Sequence, residues 1–481
     1  MTDKIPTKDV TPKDAAQSRK SPTTGGPQGH LYASRKHIYV KRVQGVFQKL
    51  RTATNWVLML AFFLGSFVPY GDRQAVLFDL PNRQFHIFGT TFFPSDFVLL
   101  AWLLIILAFT LFFVTNFAGR VWCGYSCPQF VWTWLYIWVE EKTEGKPNRR
   151  KKLDKQPLNG EKFLRKGAKH LIWLLIALAT AIAFIGYFSP IRDLLARLVS
   201  FDLGGWEIFW MGFFTLFTYL FAGWLREQVC IYMCPYARFQ AVMFDKDTLI
   251  VSYDAARGEP RGPRKKSTNL EEANLGHCID CDLCVQVCPV GIDIRNGLQY
   301  ECITCAACID ACDEVMDKME YPRGLIRYTT EEELSGRKTK ILRPRLIGYF
   351  LVLVAMIIAF TIALSNRVPM EMDVQRDRNQ LYRMTTEGLV ENSYRVGITN
   401  MDQEAHTYRL KLLGEEELQL QGNLEYTLEA GESQTYSVRI IADPEQLPDR
   451  PAMDIQFQVE STEDASIQDS RESRFIIRSI R

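Results

Sequence analysis

The stretch that decides the fold is Cys278-Ile279-Asp280-Cys281-Asp282-Leu283-Cys284-Val285-Gln286-Val287-Cys288-Pro289, followed by Cys302-Ile303-Thr304-Cys305-Ala306-Ala307-Cys308-Ile309-Asp310-Ala311-Cys312. It is two C-x2-C-x2-C-x3-C runs in tandem, the spacing that binds two cubane iron–sulfur clusters. Each cubane needs a thiolate at four iron corners. Three come from a tight loop with two-residue spacing, and the fourth of each run reaches the other cluster. The expected sets are therefore Cys278, Cys281, Cys284 and Cys312 for one cluster, and Cys302, Cys305, Cys308 and Cys288 for the other. Pro289 follows the first run as the motif requires, and Asp313 stands where the second run would have Pro. Zinc knots show two C-x2-C pairs rather than two quartets, and disulfides do not suit a segment facing a reducing compartment. The implied work is one-electron traffic.

The chain has 481 residues and a net charge of +2, an average that mixes apolar and charged blocks. Residues 1–51 read as a basic disordered arm carrying eleven Lys and Arg, without the apolar core of a signal peptide. Five apolar runs follow: Asn55–Gly71, Phe97–Phe117, Leu171–Phe188, Ile208–Leu225 and Leu346–Leu364, none with an internal Lys, Arg, Asp or Glu. Each is about long enough to cross ~30 Å of hydrocarbon as a helix. The arm and the loop Lys142–Lys169 each carry eleven basic residues, whereas the loops after the first and third runs carry only Arg73 with Arg83 and Arg192 with Arg197. The positive-inside rule then puts the N-terminus and the clusters in the cytoplasm and the C-terminal region outside. The expected location is the inner membrane of a bacterial cell, with that region in the periplasm.

The other four cysteines form an internal repeat. Runs one and two are a hairpin followed by Cys123-Gly124-Tyr125-Ser126-Cys127-Pro128, and runs three and four are a hairpin followed by Cys230-Ile231-Tyr232-Met233-Cys234-Pro235. Two like hairpins packed about a pseudo-two-fold axis would bring the C-x3-C-P motifs together at the cytoplasmic face. Within each motif the sulfurs are at i and i+4, on one face if the segment is helical. Thiolates select Cu(I), zinc or iron–sulfur centres, or cycle between dithiol and disulfide. Pro128–Val139 is aromatic, too short to span, and expected in the interface.

The resulting organisation is an arm (1–51), a four-helix membrane domain (52–247), a polar linker (Thr248–Asn274) with the two-cluster ferredoxin-like segment (together 248–345), a fifth span (346–365) and an extracytoplasmic domain (366–481). In the last, short alternating runs at Leu389–Ile398, His406–Leu413, Leu424–Leu428, Gln434–Ile441 and Ala452–Val459 predict an all-β, immunoglobulin-like sandwich. Lesser candidates are His277 beside the first cluster ligand, the thioethers of Met370 and Met372 for copper, and His86 and His170 at the interfaces. No G-x-G-x-x-G or phosphate-binding loop motif is present, so nucleotide and flavin binding have no support. The basic patches suit anionic lipid rather than nucleic acid.

The paired C-x3-C-P hairpins, the two quartets, the fifth span and the C-terminal β domain together resemble the cytochrome c oxidase accessory proteins called CcoG, FixG or RdxA. The double C-x3-C-P alone is shared with NapH- and NosR-like membrane ferredoxins. The resemblance implies a polytopic helical membrane protein holding two [4Fe–4S] clusters on the eight quartet cysteines. It implies a cupric reductase supplying Cu(I) for assembly of cbb3-type oxidase, with Cys123, Cys127, Cys230 and Cys234 as the redox and copper-handling residues. The expected partners are membrane lipid, from the basic patches, a cytoplasmic electron donor, a copper chaperone or transporter, oxidase assembly factors and, in a homo-oligomer, further copies of the chain. A quinol-linked electron conduit and a non-enzymatic assembly scaffold stand as the alternatives.

Overall fold

A computed structural model describes residues 37–71, 73–377, 381–414, 417–448 and 450–477. Most of the expected basic arm, residues 1–36, lies outside the described residues. The chain from Tyr39 onward forms one unit.

The first helix, α1, spans Val46–Gly65 and so starts inside the expected arm. The reason is non-local. The backbone N–H groups of Phe47 and Gln48 donate to the Asp310 carboxylate at 3.3 and 2.7 Å, a helix cap supplied from the cluster segment. A three-stranded antiparallel meander follows, β1 Val76–Asp79, β2 Gln84–Ile87 and β3 Thr90–Phe92. Then come α2 Phe97–Ala118, α3 Val121–Tyr125, α4 Pro128–Glu144 and α5 Pro147–Lys155. The second half carries α6 Gly160–Ile185, α7 Ile191–Val199, α8 Gly205–Thr218 and α9 Pro235–Met243. Between α8 and α9 the backbone forms two π-helical turns, Tyr219–Leu225 and Val229–Met233.

Five spans were expected. Among the described residues, four helices are long and apolar enough to cross a membrane: Pro94–Ala118, Gly160–Ile185, Gly205–Leu225 and Pro344–Ser365. The α1 helix differs because Lys49 and Arg51 occupy its opening turns. Its apolar part, 55–65, reaches only about 16 Å at 1.5 Å per residue, short of ~30 Å of hydrocarbon. The spans pair through aromatic contacts, Phe184 on α6 meeting Phe214 on α8 at 4.4 Å. The aromatic segment Pro128–Val139 forms most of a longer helix packed into the protein. The α4 helix runs on to Glu144, and Val131, Tyr136 and Val139 are buried.

The cluster segment is framed by β4 Ile250–Tyr253, paired antiparallel with β5 Ile326–Thr329. The fully buried β4 lies within the expected polar linker. Between the two strands sit α10 Leu283–Gln286 and α11 Ala307–Met319. The last span, α12 Pro344–Ser365, packs along α2, with Trp102 against Phe360 at 6.1 Å.

The C-terminal domain is an all-β sandwich. One sheet orders β10 Gln419–Gln421, β12 Ser433–Ala442, β8 Val390–Asn400 and β6 Met370–Arg376, with β7 Arg383–Met384 on β8; the other orders β11 Glu425–Leu428, β9 His406–Leu413, β13 Ala452–Ser461 and β14 Gln468–Ile476. Alternate residues from both sheets, among them Tyr394, Val396, Ile398, Tyr408, Phe457 and Phe475, form its core. The sandwich docks on the β1–β3 meander: Gln84 Nε2 donates to the Gly431 carbonyl at 2.7 Å and Gln403 Nε2 to Thr91 Oγ1 at 3.0 Å. Arg367, just after α12, pairs bidentately with Asp96 at 2.7 and 2.8 Å.

Candidate electron-transfer and thiol site

The two quartets ring two cavities. Cys278, Cys281, Cys284 and Cys312 line one, and Cys288, Cys302, Cys305 and Cys308 line the other, which Cys284 also borders. Each run folds the same way. Asp280 and Asp282 in the first, and Thr304 and Ala306 in the second, adopt positive φ of 55–59° at matching positions. These left-handed residues curl each two-residue spacer so that successive thiols turn inward. Such conformations cost of order 1–3 kcal/mol each and persist where the surroundings enforce them. The fourth thiols arrive on helices: Cys312 within α11 and Cys288 just beyond α10. Four convergent thiols around a cavity are the donor set a cubane needs.

Burial pushes up thiols of both cavities, Cys284 to about 11 and Cys312 to about 12 in the first, Cys302 to about 11 and Cys288 to about 12 in the second, while Cys281 in the first is exposed. Thiols this weakly acidic become thiolates when a metal displaces their protons. Beside the first cavity, Arg295 meets Asp280, Asp282 and Asp293 at 2.6–2.7 Å and offsets part of the charge of an acidic rim. His277 lines neither cavity. Its ring stacks on Tyr321 at 5.2 Å, Arg257 Nε donates to its Nδ1 at 2.8 Å, and burial with the Arg257 charge lowers its pKa.

The two C-x3-C-P motifs come together: Cys230 lies within electrostatic reach of Cys127, Cys123 and Cys234, and Cys123 within reach of Cys127 and Cys234. Neither motif presents its thiols on one face of a single helix. Cys123 lies in α3, which ends at Tyr125, while Cys127 caps α4 with Pro128 in the first turn. Cys230 lies in the second π turn, closed by Cys234 N–H donating to the Val229 carbonyl at 2.8 Å, and Cys234 caps α9 with Pro235 next. Single π turns inside helices recur at functional sites. Burial, with the neighbouring thiols, raises Cys123 and Cys230 to about 12. For Cys127 burial is opposed by the N–H groups of Phe130 and Gln129 at the start of α4. Among the described residues, no group of three His, Cys, Asp or Glu is set around a single metal ion.

Three residues join this thiol group to the second cavity, and none was singled out from sequence. Gly124, between Cys123 and Cys127, seats directly on the loop of the second quartet: a β-carbon there would lie 2.7 Å from the Ile303 carbonyl and 2.9 Å from Cys305 Cα. Arg120 is 3% exposed, and its backbone N–H donates to Thr304 Oγ1 at 3.0 Å. Its guanidinium donates to Gln240 Oε1 at 3.0 Å, to the Ala237 carbonyl at 2.6 Å and to the Tyr300 carbonyl. Gln240 Oε1 in turn accepts from Cys123 Sγ at 3.3 Å. Arg120 and Gln240 are far apart in sequence and belong to no motif; only the fold brings them together.

The lesser candidates lie elsewhere. Met370 and Met372 are 4% and 1% exposed in the sandwich core, which removes them as open thioether ligands. His86 meets Thr91 Oγ1 at 2.9 Å in the β1–β3 meander, and His170 meets the Tyr219 hydroxyl at 2.8 Å.

Three sequence families match the chain. Residues 225–331 match a 4Fe-4S dicluster domain, residues 100–145 a 4Fe-4S binding domain, and residues 360–478 the immunoglobulin-like fold at the C-terminus of FixG. The chain is 38% identical over 425 residues to the nitrogen fixation protein FixG of Rhizobium meliloti, covering 80% of this chain and 81% of that one. It is 41% identical to Protein RdxB and 39% identical to Protein RdxA of Cereibacter sphaeroides, over 86% and 80% of this chain and 90% and 84% of theirs. Iron–sulfur domains, membrane-length helices and the matching C-terminal domain in one chain, together with relatives aligned over most of its length, establish that it belongs to the FixG family of membrane iron–sulfur redox proteins.

Proposed function

We propose that this protein reduces Cu(II) to Cu(I) for assembly of a cbb3-type cytochrome c oxidase, with Cys123, Cys127, Cys230 and Cys234 as the copper-handling thiols. In this reading Cys278, Cys281, Cys284 and Cys312 hold one [4Fe–4S] cluster, and Cys288, Cys302, Cys305 and Cys308 the other. When bound, such clusters supply one-electron transfer. The observation that carries the reading is the seating of Gly124 against Ile303 and Cys305, which leaves no side chain between the first C-x3-C-P backbone and the loop of the second quartet. Exposure of Cys281 supports the first cluster as the one approached by a cytoplasmic electron donor. Each Cu(II) takes one electron and becomes Cu(I), the state that soft thiolates favour. The thiols capture copper and pass it to a chaperone or transporter.

The test is anaerobic. Protein with reduced clusters is mixed with Cu(II) and a Cu(I)-specific chelator. Wild type yields Cu(I) in step with cluster reoxidation, and the variant with all four C-x3-C-P cysteines changed to Ser yields none. Unchanged Cu(I) production by that variant, with intact clusters, removes the thiols from the reaction.

One observation favours the quinol-linked conduit as a second reading. An apolar groove between α6 and α8, bordered by Leu178, Met211 and Thr215, ends at Tyr219, whose hydroxyl meets His170. Cluster reduction by a quinol in membranes, with no transfer to copper, decides for that reading.

A further inference from the structure

A cavity of about 70 Å³ opens beside the second quartet, between the segment before α1, α4 and α5. Its lining carries four cations, Lys41, Arg42, Arg51 and Arg150, and one carboxylate, Glu141, which lies 3.9 Å from Arg42. Arg51 and Arg150 are 7% and 1% exposed, and the Nε of each is buried without a hydrogen-bond partner. The Arg150 guanidinium also has Glu140 beside Nη2 and Glu144 at 3.9 Å from Nε. Arg51 has no carboxylate partner among the described residues. Its Nη2 donates to Gln48 Oε1, and its cation lies over the Phe130 ring at 5.4 Å. A buried guanidinium that keeps an unmade bond and lacks a counter-charge is costly, and arginine's planar fork matches phosphate oxygens in particular.

We propose that this cavity binds one phosphate group, with Arg51 and Arg150 donating to its oxygens and Lys41 and Arg42 at the rim. The volume suits a single tetrahedral oxyanion and excludes a nucleotide. Two sources share this chemistry, an anionic phospholipid headgroup and free phosphate. Trp134 and Trp138 line the same cavity, and Lys142 lies over the Trp138 ring at 5.8 Å, the aromatic and basic setting of a headgroup-level site. Val287 and Pro289, which flank Cys288, and Phe130, three residues past Cys127, also border it. An occupant therefore braces the second quartet against α4.

The test uses the full holoprotein, delipidated in detergent. Native mass spectrometry is run with phosphatidylglycerol or phosphatidylcholine, and thermal bleaching of cluster absorbance is followed with and without inorganic phosphate. The expected result is one retained phosphatidylglycerol, preferred at least tenfold over phosphatidylcholine, with that preference lost in Arg51→Gln and only partly kept in Arg51→Lys, which restores the charge but not the planar fork. Stabilisation by inorganic phosphate that depends on Arg51, without lipid retention, also supports the site and makes free phosphate its ligand. Should Arg51→Gln fail to assemble, the rim variant Lys41→Ala/Arg42→Ala is expected to weaken binding severalfold. Binding of both probes that is indifferent to the assembled Arg51 variant, or to the rim variant, overturns the proposal.

Discussion

Replacing Gly124 by Ala sets two effects of opposite sign against each other. Gly124 lies within α3, and in a helix interior Ala is favoured over Gly by about 1 kcal/mol. Against that, the new β-carbon would sit 2.7 Å from the Ile303 carbonyl oxygen, 2.9 Å from Cys305 Cα and 3.1 Å from Cys305 N. Ordinary separations begin near ~3.3 Å for carbon to oxygen and ~3.5 Å for carbon to carbon, so the loop would have to retreat by about 0.6 Å. All three contacts are backbone atoms, and Thr304 and Ala306 on either side of Cys305 already hold positive φ. No rotamer change relieves the clash. Overpacking of this kind costs roughly 1–3 kcal/mol, which outweighs the helix-propensity gain. The expected result is a lower midpoint for thermal bleaching of cluster absorbance under anaerobic conditions, together with slower cluster reoxidation by Cu(II). An unchanged or raised midpoint with an unchanged reoxidation rate would refute the direct seating of the motif on the second quartet.

Glu140→Gln leaves Arg226, Arg150 and Lys169 buried around a neutral side chain and is expected to cost about 3–5 kcal/mol, read as a shift in denaturant midpoint; Glu140 is 2% exposed and meets Arg226 at 2.6 Å. Burial alone would raise the Glu140 pKa, but the Arg226 and Arg150 charges hold it below the ordinary carboxylate value. Its contribution is therefore present above the ordinary carboxylate pKa and lost as pH falls through the lower folded value, and the acid limb of the stability profile should flatten in the variant. Arg120→Gln removes a buried cation near Cys302, so reduction, which adds negative charge, becomes harder. The potential of the second cluster should fall by about 59 mV for each tenfold change in its one-electron equilibrium, measured by redox titration, with Arg120→Lys keeping most of the potential. Asp310→Ala removes the acceptor of the Phe47 and Gln48 N–H groups and should cost about 1–2 kcal/mol, visible as earlier loss of α1 protection in hydrogen exchange.

Local chemistry was legible in the sequence and long-range contact was not. The quartets could be read because cluster ligation imposes its spacing on the chain itself. The inner strands of the sandwich could be read because burial of one face imposes alternation, and the expected Gln434–Ile441 became Ser433–Ala442. The outer strand Gln468–Ile476 escaped notice because it is largely exposed and mostly polar. Residues 219–225 read as a continuing apolar helix, and nothing local announced that they would widen into a π turn. Arg120 looked like an ordinary basic residue after a span. Its burial follows from Tyr300 and Thr304, nearly two hundred residues away.

The same non-local logic changes how the cluster segment should be regarded. From sequence it is an insert between the fourth and fifth spans. In the fold it supports the membrane domain. Asp310 lies on α11 between Cys308 and Cys312, and its carboxylate caps the first turn of α1. The approach is so close that a β-carbon at Gly45 would fall 2.1 Å from Asp310 Cγ. Gly45 is extended, with φ 176°, a conformation open to any residue, so the requirement there is space alone. On the other side, Thr304 and Tyr300 hold Arg120, and Arg120 and Gln240 hold Cys123 and the start of α9. A thiol pulled inward at Cys308 or Cys312 therefore tightens a helix whose opposite neighbour is the α1 cap, and the loop at Cys305 fixes the height of α3. The quartet segment and the C-x3-C-P motifs share these contacts, so loss of the Arg120–Thr304 hydrogen bond is expected to be felt at both, read as a lower midpoint for cluster bleaching together with altered reactivity of Cys123.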